Sequence, residues 1–481
     1  MKSNRRRRQQ GGVIMYMTAM MLVMIIPVVG LAIDATVLYV DKARLQGAVD
    51  GAALAAAKAL ARGSDDPTQQ VNAKVAAATY VMLNYPVSFF YTSSVTVNQA
   101  TDITIDETIA HQRSITVTAH AVIPALFMRF LNFNSTNMVA TATTVRRDVN
   151  IALVVDRSGS LALTNSCQAV IQSATNFVSK FANGRDYMSL TTFSTDTRTD
   201  FPMASNFLTA ATPVPTILSN ITCAGSTSSA MGLWYGYDQL VGLNQPAALN
   251  VILFFTDGKP TAVNVNMPIS ATSTCTNPNA GPPRWINGLY NTYTNVNQWW
   301  GLSNPTAAIT TANPYGNPSS DGNNSAGCAY AASWPNNQTV TSDFQGVPAA
   351  DVYGDNLNNG YQSVTLSGSY ISLSDTNNAS AVPMNATDAA ATRIRAGAAV
   401  PAHSTMLHPG QSLTNVLIYS IGLGNAPYPI STDLLERVSN DPRSTIFNAS
   451  QPTGLFVVAP TSADIDAAFS VIASEILRLA K

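Results

Sequence analysis

The residues best placed to do chemistry are Asp156-Arg157-Ser158-Gly159-Ser160. They close the apolar run VNIALVVD at 149–156, which reads as a buried strand ending in an acid. Ser158 and Ser160 project hydroxyls from the turn that follows, and Gly159 lets that turn bend tightly. A second acid, Asp257, ends the other strong apolar run, LNVILFFTD at 249–257, within Thr256-Asp257-Gly258-Lys259-Pro260. Between the two lies Gly225-Ser226-Thr227-Ser228, a third hydroxyl-bearing loop ahead of a helix. In open α/β sheets, ligand sites form beyond the carboxyl ends of strands where the strand order reverses. Two carboxylates and three hydroxyls gathered there make an all-oxygen donor set. It suits a hard divalent cation at ~2.0–2.6 Å, Mg²⁺ in preference to Zn²⁺. With so few charged donors, the ion would keep an open position for a carboxylate from a partner protein. That is binding chemistry, not bond cleavage. Alone, Asp-x-Ser-x-Ser is equally a capped turn whose side chains bond the backbone. The Thr-Asp-Gly on a second strand end tips the reading towards a metal.

Other chemistries find little support. His111, His120, His403 and His408 have no spaced partners, and Ser158 sits in no Gly-x-Ser-x-Gly elbow, so no enzyme activity and no catalytic residue are expected. Four cysteines without Cys-x-x-Cys argue against zinc. Only 11% of the 481 residues are charged. Lys2 and Arg5 to Arg8 take five of the 26 basic residues, leaving 21 against 27 acids over the rest of the chain, a net −6. A mildly acidic body with no basic face is not expected to bind nucleic acid. Glu475 and Arg478 form an i, i+3 pair on a helix, read as a solvated face.

The elements that must position the acids alternate between apolar strands and helices. Helical segments are expected at 167–182, 225–241, 431–440 and 461–479, and strands at 149–156, 187–194, 249–257, 415–424 and 454–460. Unpunctuated apolar strands interleaved with helices predict a doubly wound, mostly parallel sheet covered on both faces. A long interruption at about 259–384, rich in Asn, Ser, Thr, Gly and Pro with scattered tryptophans, shows no sustained periodicity and reads as a surface excursion.

The amino-terminal third is of another kind. After the Arg5–Arg8 cluster, Val13 to Ile33 is an apolar run of 21 residues, long enough to cross a ~30 Å hydrocarbon core. Its length and the lack of a small-residue cleavage site favour a retained signal anchor over a cleaved signal peptide. The arginines predict a cytoplasmic tail at 1–12 and export of everything from Asp34 onward. Residues 34–62 continue the helix. Leu38, Leu45, Ala52 and Ala59 recur every seven residues, which suits either a partner helix or the helix's own domain. Residues 63–148 read as a small α+β stalk without catalytic groups. It has a helix at 71–83, strands at 94–97, 103–109, 114–122 and 138–145, and an apolar link at 126–133.

Two resemblances follow from these residues. The order of Arg cluster, glycine pair, apolar run and LAIDATVLYVDKARLQGAVDGAALAAAKAL resembles the amino-terminal segment of TadG-like proteins of the bacterial tight-adherence (Flp) pilus assembly system. It implies a single-pass protein of the bacterial cytoplasmic membrane, its carboxyl-terminal domains periplasmic or extracellular, working beside pilus or secretion components. A prepilin would carry an acid five residues after its cleavage glycine. Counted from Gly12 that position is Met17, so the chain is not expected to be the pilus subunit. The Asp-x-Ser-x-Ser, Thr227 and Thr-Asp-Gly pattern resembles the metal-ion-dependent adhesion site of von Willebrand factor A-type (VWA) domains, over 148–481 apart from the insertion. It implies Asp156, Ser158, Ser160, Thr227 and Asp257 as ligands of Mg²⁺, or of Mn²⁺ or Ca²⁺, some through water. The expectation is an adhesion or interaction protein binding a partner's carboxylate. The alternative is a structural assembly factor acting through its amino-terminal helix, its metal site only stabilising. Export also suits disulfides. A Cys167–Cys223 bridge would clamp two metal loops together and leave Cys275 and Cys328 to close the insertion, although four cysteines allow three connectivities.

Overall fold

The computed structural model describes residues 4–60, 66–194, 196–268, 285–293, 298–303, 345–372, 375, 377–403, 405–424 and 430–480. They fall into two units, Met1–Arg146 and Arg147–Ala480.

The first unit is organised by α1 (Asn4–Ala59), one helix that runs unbroken through Pro27. Its apolar stretch has a mean hydropathy of 2.4 over 18 residues and leaves Met20, Val23 and Met24 largely exposed, as a lipid-facing helix does. Beyond Asp34 the same helix turns into core. Leu45 and Ala52 are fully buried and Ala59 nearly so, packed with Ala73, Ala77 and Val81 of α2 (Asp66–Asn84). The seven-residue face is therefore used by the helix's own domain. At Gly51 a Cβ would sit 2.4 Å from the Tyr80 ring, so the ring of this α2 residue occupies the space a side chain there would fill. Four strands cover the helices: β1 (Ser94–Thr96), β2 (Ile103–Asp106), β3 (Gln112–Pro124) and β4 (Ser135–Arg147). β3 is the hub and pairs with each of the others. Its alternate residues Ile115, Val117, Ala119, Ala121 and Ile123 are buried against α1, the period-two pattern of a half-covered sheet.

The second unit contains, in chain order, β5 (Val149–Asp156), α3 (Cys167–Val178), β6 (Tyr187–Phe193), β7 (Thr197–Ala204), α4 (Ser229–Leu243), β8 (Leu249–Thr256), β9 (Ala262–Pro268), β10 (Trp285–Tyr293), β11 (Gln298–Ser303), α5 (Asn378–Arg395), β12 (Leu417–Leu423), α6 (Thr432–Ser439), β13 (Phe456–Ala459) and α7 (Ile465–Leu479). Six strands form one sheet in the order β13-β12-β8-β5-β6-β7, parallel except for β7 at the edge. Val149, Ile151, Leu153 and Val155 of β5 pack with α3 and α7, while Ala152 and Val154 pack with α4 and α5. Both faces are covered, so the strand shows no polar alternation in its sequence. The chain leaves β5 for β6 on one side and returns to β8 on the other, so the carboxyl ends of β5 and β8 flank the reversal point.

α4 lies close on the sheet through glycine. A Cβ on Gly236 would fall 2.5 Å from Val154 Cγ2. Gly236→Ala should therefore destabilise by about 1–2 kcal/mol, the overpacking cost exceeding the ~1 kcal/mol gained in helix propensity. A lowered urea midpoint at unchanged slope would show it. An equal or higher midpoint would mean that this interface yields freely.

The interruption after β8 is more than a surface excursion. β9, β10 and β11 form an antiparallel sheet, and Val263, Val265, Val347, Tyr353, Leu357 and Ile371 complete the core beneath α4 and α5. Val263 and Val265 alternate over one short stretch, while Val347, Tyr353, Leu357 and Ile371 are scattered among polar, Gly and Pro residues, so no period is sustained. α5 begins inside the same stretch and crosses Pro383. It is held by buried amides: Asn378 Nδ2 donates to Thr365 O (2.9 Å) and Ser372 O (2.8 Å), and Asn385 Nδ2 to Leu357 O (2.8 Å). Edge strand β7, polar and interrupted by Pro202, is likewise not evident from pattern.

Candidate metal centre

Asp156 ends β5 with its carboxylate buried. One oxygen accepts the Ser158 N–H at 2.7 Å, which folds the turn. The other accepts the Thr256 hydroxyl at 2.6 Å, which ties the turn to the end of β8. Ser158 is extended, precedes a short helical turn at Gly159–Leu163, and does not spend its hydroxyl on capping. That hydroxyl lies 3.0 Å from Ser160 Oγ instead. Ser160 Oγ donates to Asp257 Oδ1 at 2.6 Å, with Ser158 Oγ at 3.5 Å from the same atom. Four of the five residues singled out in the sequence, Asp156, Ser158, Ser160 and Asp257, thus form one cluster across the ends of two adjacent parallel strands.

Thr227 belongs to the loop alongside. Gly159 N donates to Gly225 O at 2.8 Å and Ala224 N to Arg157 O at 2.8 Å, so the two loops are zipped by their backbones. A Cβ on Gly159 would come within 3.2 Å of Gly225 O, so a side chain there requires the neighbouring loop to give by a few tenths of an ångström. Thr227 itself is buried. Its N–H donates to Thr261 Oγ1 at 2.9 Å and its carbonyl accepts from Thr261 N and Ala262 N. The described hydrogen bonds hold it beside the cluster by its backbone and do not join its hydroxyl to the other four. A disulfide between Cys167 and Cys223, Cα atoms 6.1 Å apart, fixes the start of α3 to the strand of chain leading into this loop. Cys275 and Cys328 lie outside the described residues.

Two contributors escape a reading of the sequence. Thr256 is visible in Thr-Asp-Gly, but its bond to Asp156 depends on β8 lying beside β5. Arg157 is fully buried, its Nη2 2.7 Å from Asp196 Oδ1 and its Nε 3.2 Å from Thr192 Oγ1. It anchors the β6–β7 turn, whose Ser194 carbonyl accepts the Ser228 N–H at 2.8 Å. Its place inside the motif is the one signal the sequence offers.

The donor chemistry fits a hard cation. All the converging side-chain atoms are oxygens, and Asp257 Oδ2 is buried with no hydrogen-bond partner among the described residues. Burial raises Asp257 to about 8, with Asp156 adding charge repulsion, and burial raises Asp156 to about 6. Two carboxylates held together out of water disfavour joint ionisation, and a bound divalent cation would supply the missing positive charge. Asp257 would hold it through Oδ2, with the serine hydroxyls completing the near shell.

The strand order, the paired acids and the serine turn agree with a match to a known family. Residues 150–274 match the family model for von Willebrand factor type A domains. Residues 11–59 match the Flp pilus-assembly TadE/G-like model. Among solved structures, the chain is similar to the vWF domain of the type V pili tip protein Mfa5 from Porphyromonas gingivalis. Identity is 15%, with 70% of this chain and 98% of that chain covered, at a TM-score of 0.38. The PilB minor pilin from Streptococcus sanguinis matches at 14% identity, covering 81% of this chain and 79% of that one, TM-score 0.34. The pilus adhesin SpaC from Lactobacillus rhamnosus GG matches at 13% identity over 80% of this chain but 35% of its own length, TM-score 0.36. No curated protein matches the chain.

Proposed function

We propose that this protein is a membrane-anchored, exported interaction module of a Flp-type pilus assembly system. Its VWA domain binds a carboxylate on a protein partner through a divalent cation, Mg²⁺ or else Mn²⁺ or Ca²⁺, and performs no bond-breaking reaction. One observation carries the reading: Asp156, Ser158, Ser160 and Asp257 converge at the sheet's reversal point around a buried carboxylate oxygen that nothing in the cluster satisfies. Both oxygens of Asp156 already accept hydrogen bonds, so Asp257 and neutral hydroxyls would supply the direct donors, and an ion held that way keeps an open position for one more carboxylate. The basic residues ahead of the apolar run of α1 support a cytoplasmic amino terminus, which puts the VWA domain on the far side of the membrane.

The test is co-purification of pilus-system proteins with the full chain from detergent-solubilised membranes, in Mg²⁺ and in EDTA. Recovery should fall at least tenfold in EDTA, and equally for Asp156→Ala in Mg²⁺, consistent with losing one charged ligand of a metal-bridged contact. Equal recovery of the same partner in all three conditions would sink the metal bridge.

A further inference from the structure

The apolar run of α1 ends at Ile33, and the next residue is an acid, Asp34, only 3% exposed. Its carboxylate accepts three backbone N–H groups from a distant loop: Leu126 (3.1 Å), Phe127 (3.0 Å) and Met128 (2.7 Å). These open the tight helical turn Met128–Leu131, which Asn132 closes in the left-handed conformation at φ 67°. Ala125 N donates to Asn134 O at 3.0 Å and pinches the neck of the loop. One helical turn before Asp34, Gly30 lies against the same loop: a Cβ there would be 2.8 Å from Cβ and Cγ of Phe127. The loop is therefore locked to the last turn of the apolar run, reaching ~6 Å back along it from Asp34. It cannot lift away without stripping a buried carboxylate of its three donors.

The tip of this pinned loop is left uncovered. Phe130 is 78% exposed, Phe133 60% and Phe127 39%, and the Arg129 guanidinium stands 5.6 Å over the Phe130 ring. Three exposed phenylalanines within seven residues form an apolar patch unfavourable in water. Aromatic rings with a neighbouring cation are what the boundary between lipid tails and headgroups accommodates. Its position identifies the occupant: the patch adjoins the lipid-facing stretch of α1 at Gly30 and sits at the height where that stretch ends.

We propose that the loop Ala125–Asn134 is a second membrane contact, inserting Phe130 and Phe133 into the interface of the phospholipid bilayer beside the exit of α1, with Arg129 towards the lipid phosphates. This rests on the reading of α1 as a membrane anchor. A single spanning helix leaves its domain free to rotate and tilt, whereas a helix with a lateral aromatic foothold gives the first unit one orientation on the membrane.

The test uses the full chain in phosphatidylethanolamine–phosphatidylglycerol vesicles, with an environment-sensitive fluorescent amino acid in place of Met20, Phe130 or Ile109. Ile109 is exposed and lies near the opposite end of β3 from the loop, ~40 Å away. Nitroxide lipids labelled at the headgroup or deep in the acyl chain serve as quenchers. The probe at 20 should lose emission to nitroxides, the probe at 130 should lose it mainly to those near the headgroup, and the probe at 109 to neither. Quenching at 20 with none at 130 would overturn the proposal while leaving the anchor intact. So would a blue-shifted but unquenched probe at 130, which would mean that protein covers the patch. No quenching at 20 would remove the anchor and the proposal together.

Discussion

Without metal, at about pH 8, Asp257→Asn should melt at a higher temperature than the unchanged protein, and Mg²⁺ should no longer stabilise it. In the metal-free site Asp257 and Asp156 are buried together and both carboxyls are raised above their ordinary range. For acids raised on folding, the stabilising contribution is complete below the unfolded value near 3.8 and is lost as pH climbs through about 6 and then about 8. The metal-free protein is therefore least stable at the alkaline end. Asparagine keeps the shape of the side chain and removes the charge that is penalised there. Mg²⁺ reverses the balance for the unchanged protein: at ~100 times its Kd it adds about 2.7 kcal/mol, roughly 5 °C for a domain of this size. That gain should shrink as pH falls from about 8 to about 5, since protons compete for the same oxygens. Scanning calorimetry in EDTA and in Mg²⁺ across this range checks each sign. A variant that melts lower in EDTA, or that still gains from Mg²⁺, would show that the two acids do not share a cation.

Removing the Cys167–Cys223 bridge should have the largest effect on stability. The bridge joins residues 56 apart, and for a loop of that length the chain-entropy account gives about 4 kcal/mol. Cys167→Ser with Cys223→Ser, which leaves no odd thiol from this pair, should lower Tm by roughly 10 °C. It should also weaken Mg²⁺ binding. Cys223 lies two residues before Gly225, whose carbonyl accepts the Gly159 N–H, so loosening the bridge loosens the loop that carries Thr227. Isothermal titration with Mg²⁺ separates the two consequences. A large fall in Tm with unchanged Mg²⁺ affinity would mean that the loop is positioned by its backbone bonds alone.

How much of this can be read along the chain varies with the range of the interactions. β5 and β8 are legible because strands covered on both faces leave long apolar runs, and their terminal acids mark the site before any geometry is known. The stalk strands are legible from alternation. The first half of α5 is not, because beside its apolar residues it buries Asn378 and Asn385, whose side chains bond carbonyls 6–28 residues away. Polar residues of that kind read as loop in sequence, and only their partners turn them into core. The valines and tyrosine of the insertion escape for a related reason: they are buried by α4 and α5, which their own short stretches do not announce.

The face of α1 spaced by sevens shows the same limit. Its periodicity declares that something packs there, and the structure supplies α2 and the stalk sheet as that something. The chain alone determined the apolar run, the strand cores and the two acids, since each is a property of consecutive residues facing one environment. Tertiary structure decided that Thr256 bonds Asp156 across 100 residues and that Asp34 holds a loop 92 residues away. Those pairings depend on which strands become neighbours, and no local pattern of side chains encodes adjacency.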